Sequence, residues 1–98
     1  MEFETTRLEG VMLVRPRVFE DDRGSFTETW NMEAFAEVVG ESVQFKQSNE
    51  SVSRAGVLRG LHFQIPPRGQ GKLVRVSRGR VLDVAVDLRK DSATFGQH

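Results

Sequence analysis

The sequence predicts an all-β fold, an antiparallel sandwich or barrel with one short helix, and three observations carry that reading. Apolar and β-branched runs are short. Gly-, Pro- and Asp-rich turns interrupt them, and helical spacing of apolar residues is clear at one place only. The chain has 98 residues, with 38% hydrophobic residues and seven Phe, enough for one small core. No repeat, linker or low-complexity segment divides it, so residues 1–98 read as a single domain.

The elements follow in chain order. Val11 to Phe19 (VMLVRPRVF) reads as one long strand, with Pro16 placing it at an edge or bulge. Asp21-Asp22-Arg23-Gly24 is a turn, and Ser25 to Trp30 resumes as a strand. In it Phe26 and Glu28 share one face and Thr27 and Thr29 the other. Arg23 and Glu28 can each be an ordinary solvated charge. Asn31 is a good N-cap; Met32, Phe35, Ala36 and Val39 fall at i, i+3, i+4 and i+7, and Gly40 supplies the stop. That stripe is expected to be core.

From Ser42 onward the pattern is β. Val43 to Ser53 alternates poorly after Phe45, and Gln47, Ser48 and Asn49 put three hydrogen-bonding side chains where a strand centre is expected. Such a run is either an exposed face or a pocket wall that orients a polar ligand. Arg54-Ala55-Gly56 is a turn into VLRGLHFQ. Strict alternation there separates Arg59 from His62, unless Gly60 marks a bulge that re-aims one of them. A Pro-Pro and Gly-rich loop leads to strands at Lys72 to Ser77 and Arg80 to Leu88, with Arg78-Gly79 as the turn. In the last strand Leu82, Val84, Val86 and Leu88 are expected to face the core. Asp83 and Asp87 share the other face, either solvated or lining a cavity. Arg89 to His98 is turn-like.

Composition excludes several classes. Fourteen basic residues balance fourteen acidic ones, and the pI is near 6.7, which argues against a nucleic-acid binder that works by neutralising phosphates. There is no Cys, so neither disulfides nor thiolate metal sites arise. No apolar run approaches the roughly 20 residues of a membrane helix. The first residues, MEFETTRLEG, are acidic and polar rather than a basic-then-apolar signal, so a cytoplasmic protein without membrane association is expected.

The residues that invite chemistry lie between Val57 and Leu73. His62 is one of two histidines and lies close in sequence to Arg59 and Lys72. A lone strand histidine is commonly a satisfied core or surface residue. Two cations beside a partly buried imidazole are costly, however, unless an anion or a developing negative charge occupies the gap. A phosphate loop fails, because Leu73 follows Gly71-Lys72 and Pro66 stands where the first Gly is needed. A barrel metal site wants His-x-His followed by Glu, and His62-Phe63-Gln64 with Gln70 offers one good ligand, so no metal is expected. No nucleophile elbow is present. Acid–base chemistry survives, with a histidine base, a lysine to stabilise an oxyanion, and arginines and amides to hold an anionic polar ligand.

Three strings give these residues a context. They are Asp22-Arg23-Gly24-x-Phe26-x-Glu28, Gln47-x-Asn49-x-Ser51-x-Ser53 and Arg59-Gly60-Leu61-His62-Phe63-Gln64. Gln70-x-Lys72-Leu73-Val74, Asp83 to Arg89 and Ser92-x-Thr94-Phe95-Gly96 follow in order. Together they resemble the dTDP-4-dehydrorhamnose 3,5-epimerase family over nearly the whole chain. The resemblance implies a cupin-like antiparallel jelly roll acting as a homodimer without cofactor or metal. Its implied substrate is dTDP-4-dehydro-6-deoxy-glucose, inverted at C3 and C5 on the way to dTDP-rhamnose for cell-surface polysaccharide such as lipopolysaccharide. His62 matches the family's base and Lys72 the cation beside the keto oxygen. Arg23, Phe26, Glu28, Gln47, Ser48, Asn49 and Arg59 match the nucleotide-sugar site, with Arg23 and Glu28 lent by the partner through exchanged N-terminal strands.

Family members are longer, and their second half carries a general-acid tyrosine and an aspartate that orients the histidine. This sequence has no Tyr. It therefore reads as the N-terminal part of such an enzyme, with an incomplete jelly roll whose edges favour strand exchange. A binding remnant that holds the nucleotide without turnover is the alternative, and a purely structural or interaction module is a third.

Overall fold

The computed structural model describes residues 1–40 and 42–98 of the chain. Its regular elements are β1 (Glu2–Thr5), β2 (Met12–Arg15), β3 (Val18–Asp21), β4 (Gly24–Thr27) and α1 (Met32–Val39). They form two two-stranded antiparallel sheets, β1 with β2 and β3 with β4, followed by the helix. An all-β reading with one short helix agrees with this.

The expected long strand from Val11 to Phe19 is instead two strands in different sheets. Pro16 explains the break, since it has no N–H to give a ladder and fixes its own φ. β2 turns back to β1, with Phe3 opposite Val14. β1 escapes the sequence reading because four residues, EFET, with one apolar side chain give little periodic signal. Its turn is built locally. The Thr6 amide donates to the Val11 carbonyl (3.2 Å), and the Thr6 hydroxyl donates to the carbonyls of Val11 (2.9 Å) and Leu8 (3.1 Å). The exposed Glu4–Arg15 pair (3.1 Å) adds little to this hairpin.

The β3–β4 hairpin matches expectation at its turn, with Asp21 opposite Gly24 and Asp22-Arg23 as the loop. Gly24 has φ 131°, which a residue with a Cβ rarely adopts. β4 ends at Thr27, earlier than the expected Trp30, because β3 offers no further partner: Val18 already pairs with Thr27.

Helix α1 begins and ends as its sequence predicts. The Asn31 side chain accepts from the Ala34 amide (3.0 Å), and the Gly40 amide donates to the Ala36 carbonyl (2.9 Å). Its stripe is only partly core. Phe35 is buried and Ala36 half-buried, whereas Met32 and Val39 are exposed. Phe35 packs on Phe3, Trp30 and Phe45, with ring centroids 6.3, 4.9 and 5.4 Å away, and Trp30 meets Phe45 edge-on at 5.3 Å. Eight helical residues make about two turns, so one central side chain reaches this cluster while the end residues overhang it. Aromatic pairs of this kind contribute about 1 kcal/mol each beyond their area.

The strands expected at Val43 to Ser53, Val57 to Gln64, Lys72 to Ser77 and Arg80 to Leu88 are not formed as ladders among the described residues. The turn at Arg54 to Val57 is present (3.4 Å), as is one at Ile65 to Arg68 (2.9 Å). Leu82, Val84 and Leu88, expected to face the core, are exposed. Alternation selects which side chains share a face, but a strand exists only when its backbone groups find a partner. Among the described residues no helix is long and apolar enough to cross a membrane.

The aromatic cluster and the cap make separable predictions. Phe35→Ala should remove the cluster's centre and cost about 3 kcal/mol or more. Asn31→Ala should cost about 1 kcal/mol and loosen the first helical turn. Circular dichroism at 222 nm during urea titration checks both, with the larger loss of midpoint expected for Phe35→Ala.

Candidate functional site

The residues singled out from sequence fall into three groups along the chain. Arg23 and Phe26 belong to the β3–β4 hairpin and line an open depression of about 400 Å³ with Phe19, Glu20 and Asp21. Arg23 lies in the turn, where its guanidinium pairs with Asp21 (2.6 Å) and its backbone N–H donates to the same carboxylate (2.9 Å). The guanidinium first, then the backbone N–H, hold the Asp21 carboxyl below its ordinary pKa. Phe26 stands directly across from Phe19, both exposed, and Arg17 covers the Phe19 ring at 4.8 Å. The depression thus combines two exposed rings with the Asp21–Arg23 ion pair and Glu20, and Arg17 stands over the Phe19 ring beside it. Glu28 follows β4 and accepts from the Asn31 side-chain amide (3.3 Å), which ties it to the cap of α1.

The second group is Gln47, Ser48 and Asn49, all exposed. The Gln47 side-chain amide donates to the Asn49 side-chain carbonyl (3.1 Å), so these two share a face.

The third group carries the acid–base candidates. Arg59 reaches back along the chain, its Nε donating to the Ser53 hydroxyl (2.8 Å) and its Nη2 to the Val52 carbonyl (3.2 Å). His62 folds toward the preceding glycine: a Cβ added to Gly60 would lie 3.8 Å from His62 Nδ1. Gly60 has φ 112°, a backbone conformation that favours glycine. Lys72 lies past the Pro-Pro loop and is exposed. Among the described residues no hydrogen bond or ion pair joins Arg59, His62 and Lys72 to one another, and none joins them to the other two groups. Gln47 with Asn49, and Arg23 with Phe26, are the pairings the structure brings together.

A further polar cluster was legible only as an undecided alternative. Asp87 is buried, 6% exposed, whereas Asp83 of the same predicted face is exposed. The Asp87 carboxylate accepts from Arg89 Nε (3.0 Å), Arg89 Nη2 (3.1 Å), the Arg89 amide (3.0 Å), the Thr94 hydroxyl (2.7 Å) and the Ser92 hydroxyl (2.5 Å). The Arg89 side chain, then the hydroxyls of Ser92 and Thr94 and the Arg89 amide, hold its pKa well below the usual carboxylate range. The D-x-R-x-x-S-x-T spacing is the sequence signal for this loop: each group lies within reach of one carboxylate once the chain turns.

The sequence model of the dTDP-4-dehydrorhamnose 3,5-epimerase family matches residues 5–98, and this chain belongs to that family. It is 53% identical over 92 residues to a dTDP-4-dehydrorhamnose 3,5-epimerase of Shigella flexneri, covering 94% of this chain and 51% of that protein. The enzyme of the same name from Pseudomonas aeruginosa is 60% identical over 87 residues, 89% of this chain and 48% of that one. A dTDP-4-dehydrorhamnose 3-epimerase of Streptomyces niveus is 43% identical over 96 residues, 98% of this chain and 46% of that one. The chain spans about half the length of these curated relatives. No solved structure gives a significant match.

The Asp87 cluster makes a pH prediction. A carboxyl whose folded-state pKa is depressed contributes fully above its unfolded value near 4, and the contribution fades as pH falls toward the lowered folded value. Carbon-13 NMR of the Asp87 carboxyl should therefore show it still ionised at about pH 3. A midpoint at its ordinary value would mean that the five hydrogen bonds do not persist in solution.

Proposed function

We propose that this chain carries the proton-abstracting half of a cofactor-independent epimerase acting on a dTDP-linked 4-keto-6-deoxy sugar, the substrate being dTDP-4-dehydro-6-deoxy-D-glucose. The family match over residues 5–98 carries the reading, and it takes in every residue to which the sequence assigns chemistry. His62 serves as the base that takes the proton from the carbon beside the ketone. The electron pair moves onto the carbonyl oxygen, and Lys72 lowers the cost of the resulting enolate. Return of a proton to the opposite face completes the inversion, giving dTDP-4-dehydro-L-rhamnose when both C3 and C5 are processed. The Streptomyces niveus relative, by its name, is a 3-epimerase, so the number of carbons inverted is a property to measure for this chain.

Binding falls to Arg23, Phe26, Glu28, Gln47, Ser48, Asn49 and Arg59. The exposed Phe26 beside Arg23 suits an aromatic base with an adjoining diphosphate. Exchange of Asp21 for phosphate on the Arg23 guanidinium replaces one charge-assisted bond by another. A homodimer with exchanged N-terminal strands, within a cupin-like single-domain jelly roll, is the assembly we propose for bringing the three groups together. The extended segments after Ser42, whose edges lack ladder partners among the described residues, are compatible with that arrangement.

A second reading has its own observation. These 98 residues contain no tyrosine, and reprotonation from the far face needs an acid there. On this reading the chain holds the nucleotide sugar without turning it over.

Proton NMR of the dTDP-4-keto sugar in heavy water separates the two. Deuterium entering at C3 or C5 supports the epimerase half. Broadened thymidine signals without exchange support binding alone, and neither effect contradicts both. His62→Ala should abolish exchange and leave nucleotide affinity nearly intact. Arg59→Ala should weaken binding by about 1.5–3 kcal/mol if it holds the diphosphate.

A further inference from the structure

Two segments almost a full chain apart meet at one junction. The β1–β2 turn (Leu8, Glu9, Gly10, Val11) and residues 86–89 together line an open depression of about 290 Å³. Leu8, 5% exposed, and Asp87, 6% exposed, are both buried there. Arg89 joins the two sides. Its Nε and Nη2 donate to the two Asp87 carboxylate oxygens, and Nη2 also donates to the Glu9 carbonyl at 2.6 Å, across 80 residues of sequence. Gly10 has φ 80°, and a Cβ added to it would meet Arg89 Nη1 at 3.6 Å, so the turn conformation that presents the Glu9 carbonyl favours glycine at the guanidinium's edge.

On the far side the same carboxylate organises the last residues. Ser92 and Thr94 donate their hydroxyls to it, and the Asp87 backbone exchanges bonds with Gln97 (3.0 Å) and Gly96 (2.7 Å). A long arginine normally loses much rotamer freedom in making one bond to a carbonyl. Here Asp87 fixes the plane of the guanidinium from both oxygens, so the bond to Glu9 forms with that loss already met.

We propose that Asp87 and Arg89 form a clasp that couples the C-terminal loop to the N-terminal hairpin. Asp87 is the positioning residue: through Arg89, the closure of the 87–97 loop adds a long-range tie to the turn at Leu8 to Val11, which its own Thr6 and Val11 bonds already close, and so slows its opening. A lysine at 89 cannot reproduce this, because one ammonium cannot span both carboxylate oxygens and the carbonyl in a fixed plane. The inference is independent of the epimerase reading, since none of its residues is assigned to base, cation or nucleotide.

Amide hydrogen exchange on the 98-residue chain tests it, followed residue by residue by NMR. The reporters are the amides of Thr6 and Val11 in the turn, Thr94 in the loop (which donates to the Ser92 hydroxyl, 3.2 Å), and Phe35 and Gly40 in α1. Arg89→Met should speed exchange at Thr6 and Val11 by about tenfold and at Thr94 by less, with the helix amides little changed. Asp87→Asn should speed exchange at Thr6, Val11 and Thr94 together. Should Asp87→Asn unfold the chain, Arg89→Met decides alone, because it leaves the carboxylate with Ser92 and Thr94. Unchanged exchange at Thr6 and Val11 in Arg89→Met overturns the clasp. Equal acceleration at every reporter overturns it too, since that marks a general loss of stability rather than coupling.

Discussion

A single buried carboxylate holds together what the backbone ladders do not. The two hairpins and the helix are local structures, the longest of them closed between Glu2 and Arg15. The Asp87 residue joins Arg89, Ser92, Thr94, Gly96 and Gln97 and, through Arg89, the turn after β1. Burial of a charge is unfavourable unless its lone pairs are met, and here two hydroxyls, one amide and a guanidinium meet them. The bond to Glu9 then extends that local order across the chain.

The aromatic cluster is the other centre of order. Phe3 arrives from β1, Phe35 from α1, and Trp30 and Phe45 from the segments on either side of the helix. It places the helix against the first hairpin and fixes where Glu28 and the Asn31 cap lie. A small domain buries a modest share of its surface, so few side chains dominate its stability. Phe35 is the neighbour that the other three rings share.

The candidate chemistry is arranged around these centres rather than within them. Arg23 and Phe26 sit on an exposed hairpin, Gln47 and Asn49 on an irregular segment, and Arg59, His62 and Lys72 on the stretch that follows. Each group has its own local geometry: a guanidinium beside aromatic rings, paired amides, and an imidazole close to Gly60. Among the described residues the three groups do not meet, and it is the assembly proposed above that would bring them together.

Sequence alone determined whatever depends on near neighbours. Asn31, the i, i+3, i+4 spacing and Gly40 set both ends of α1; Asp22-Arg23-Gly24 set the hairpin turn; the ordered motifs from Asp22 to Gly96 set family membership. Tertiary structure decided what depends on distant partners. Pro16 was legible as an interruption, but that it separates two sheets follows from which strands pair. The alternation of Arg80 to Leu88 predicted a strand with a covered Leu82–Leu88 face, yet no ladder forms there among the described residues, Leu82 is exposed and Asp87 is buried. Alternation fixes only the relative direction of side chains. Which face is covered is settled by the backbone partners a strand finds and, for Asp87, by five donors that reach it only after the chain has turned back on itself.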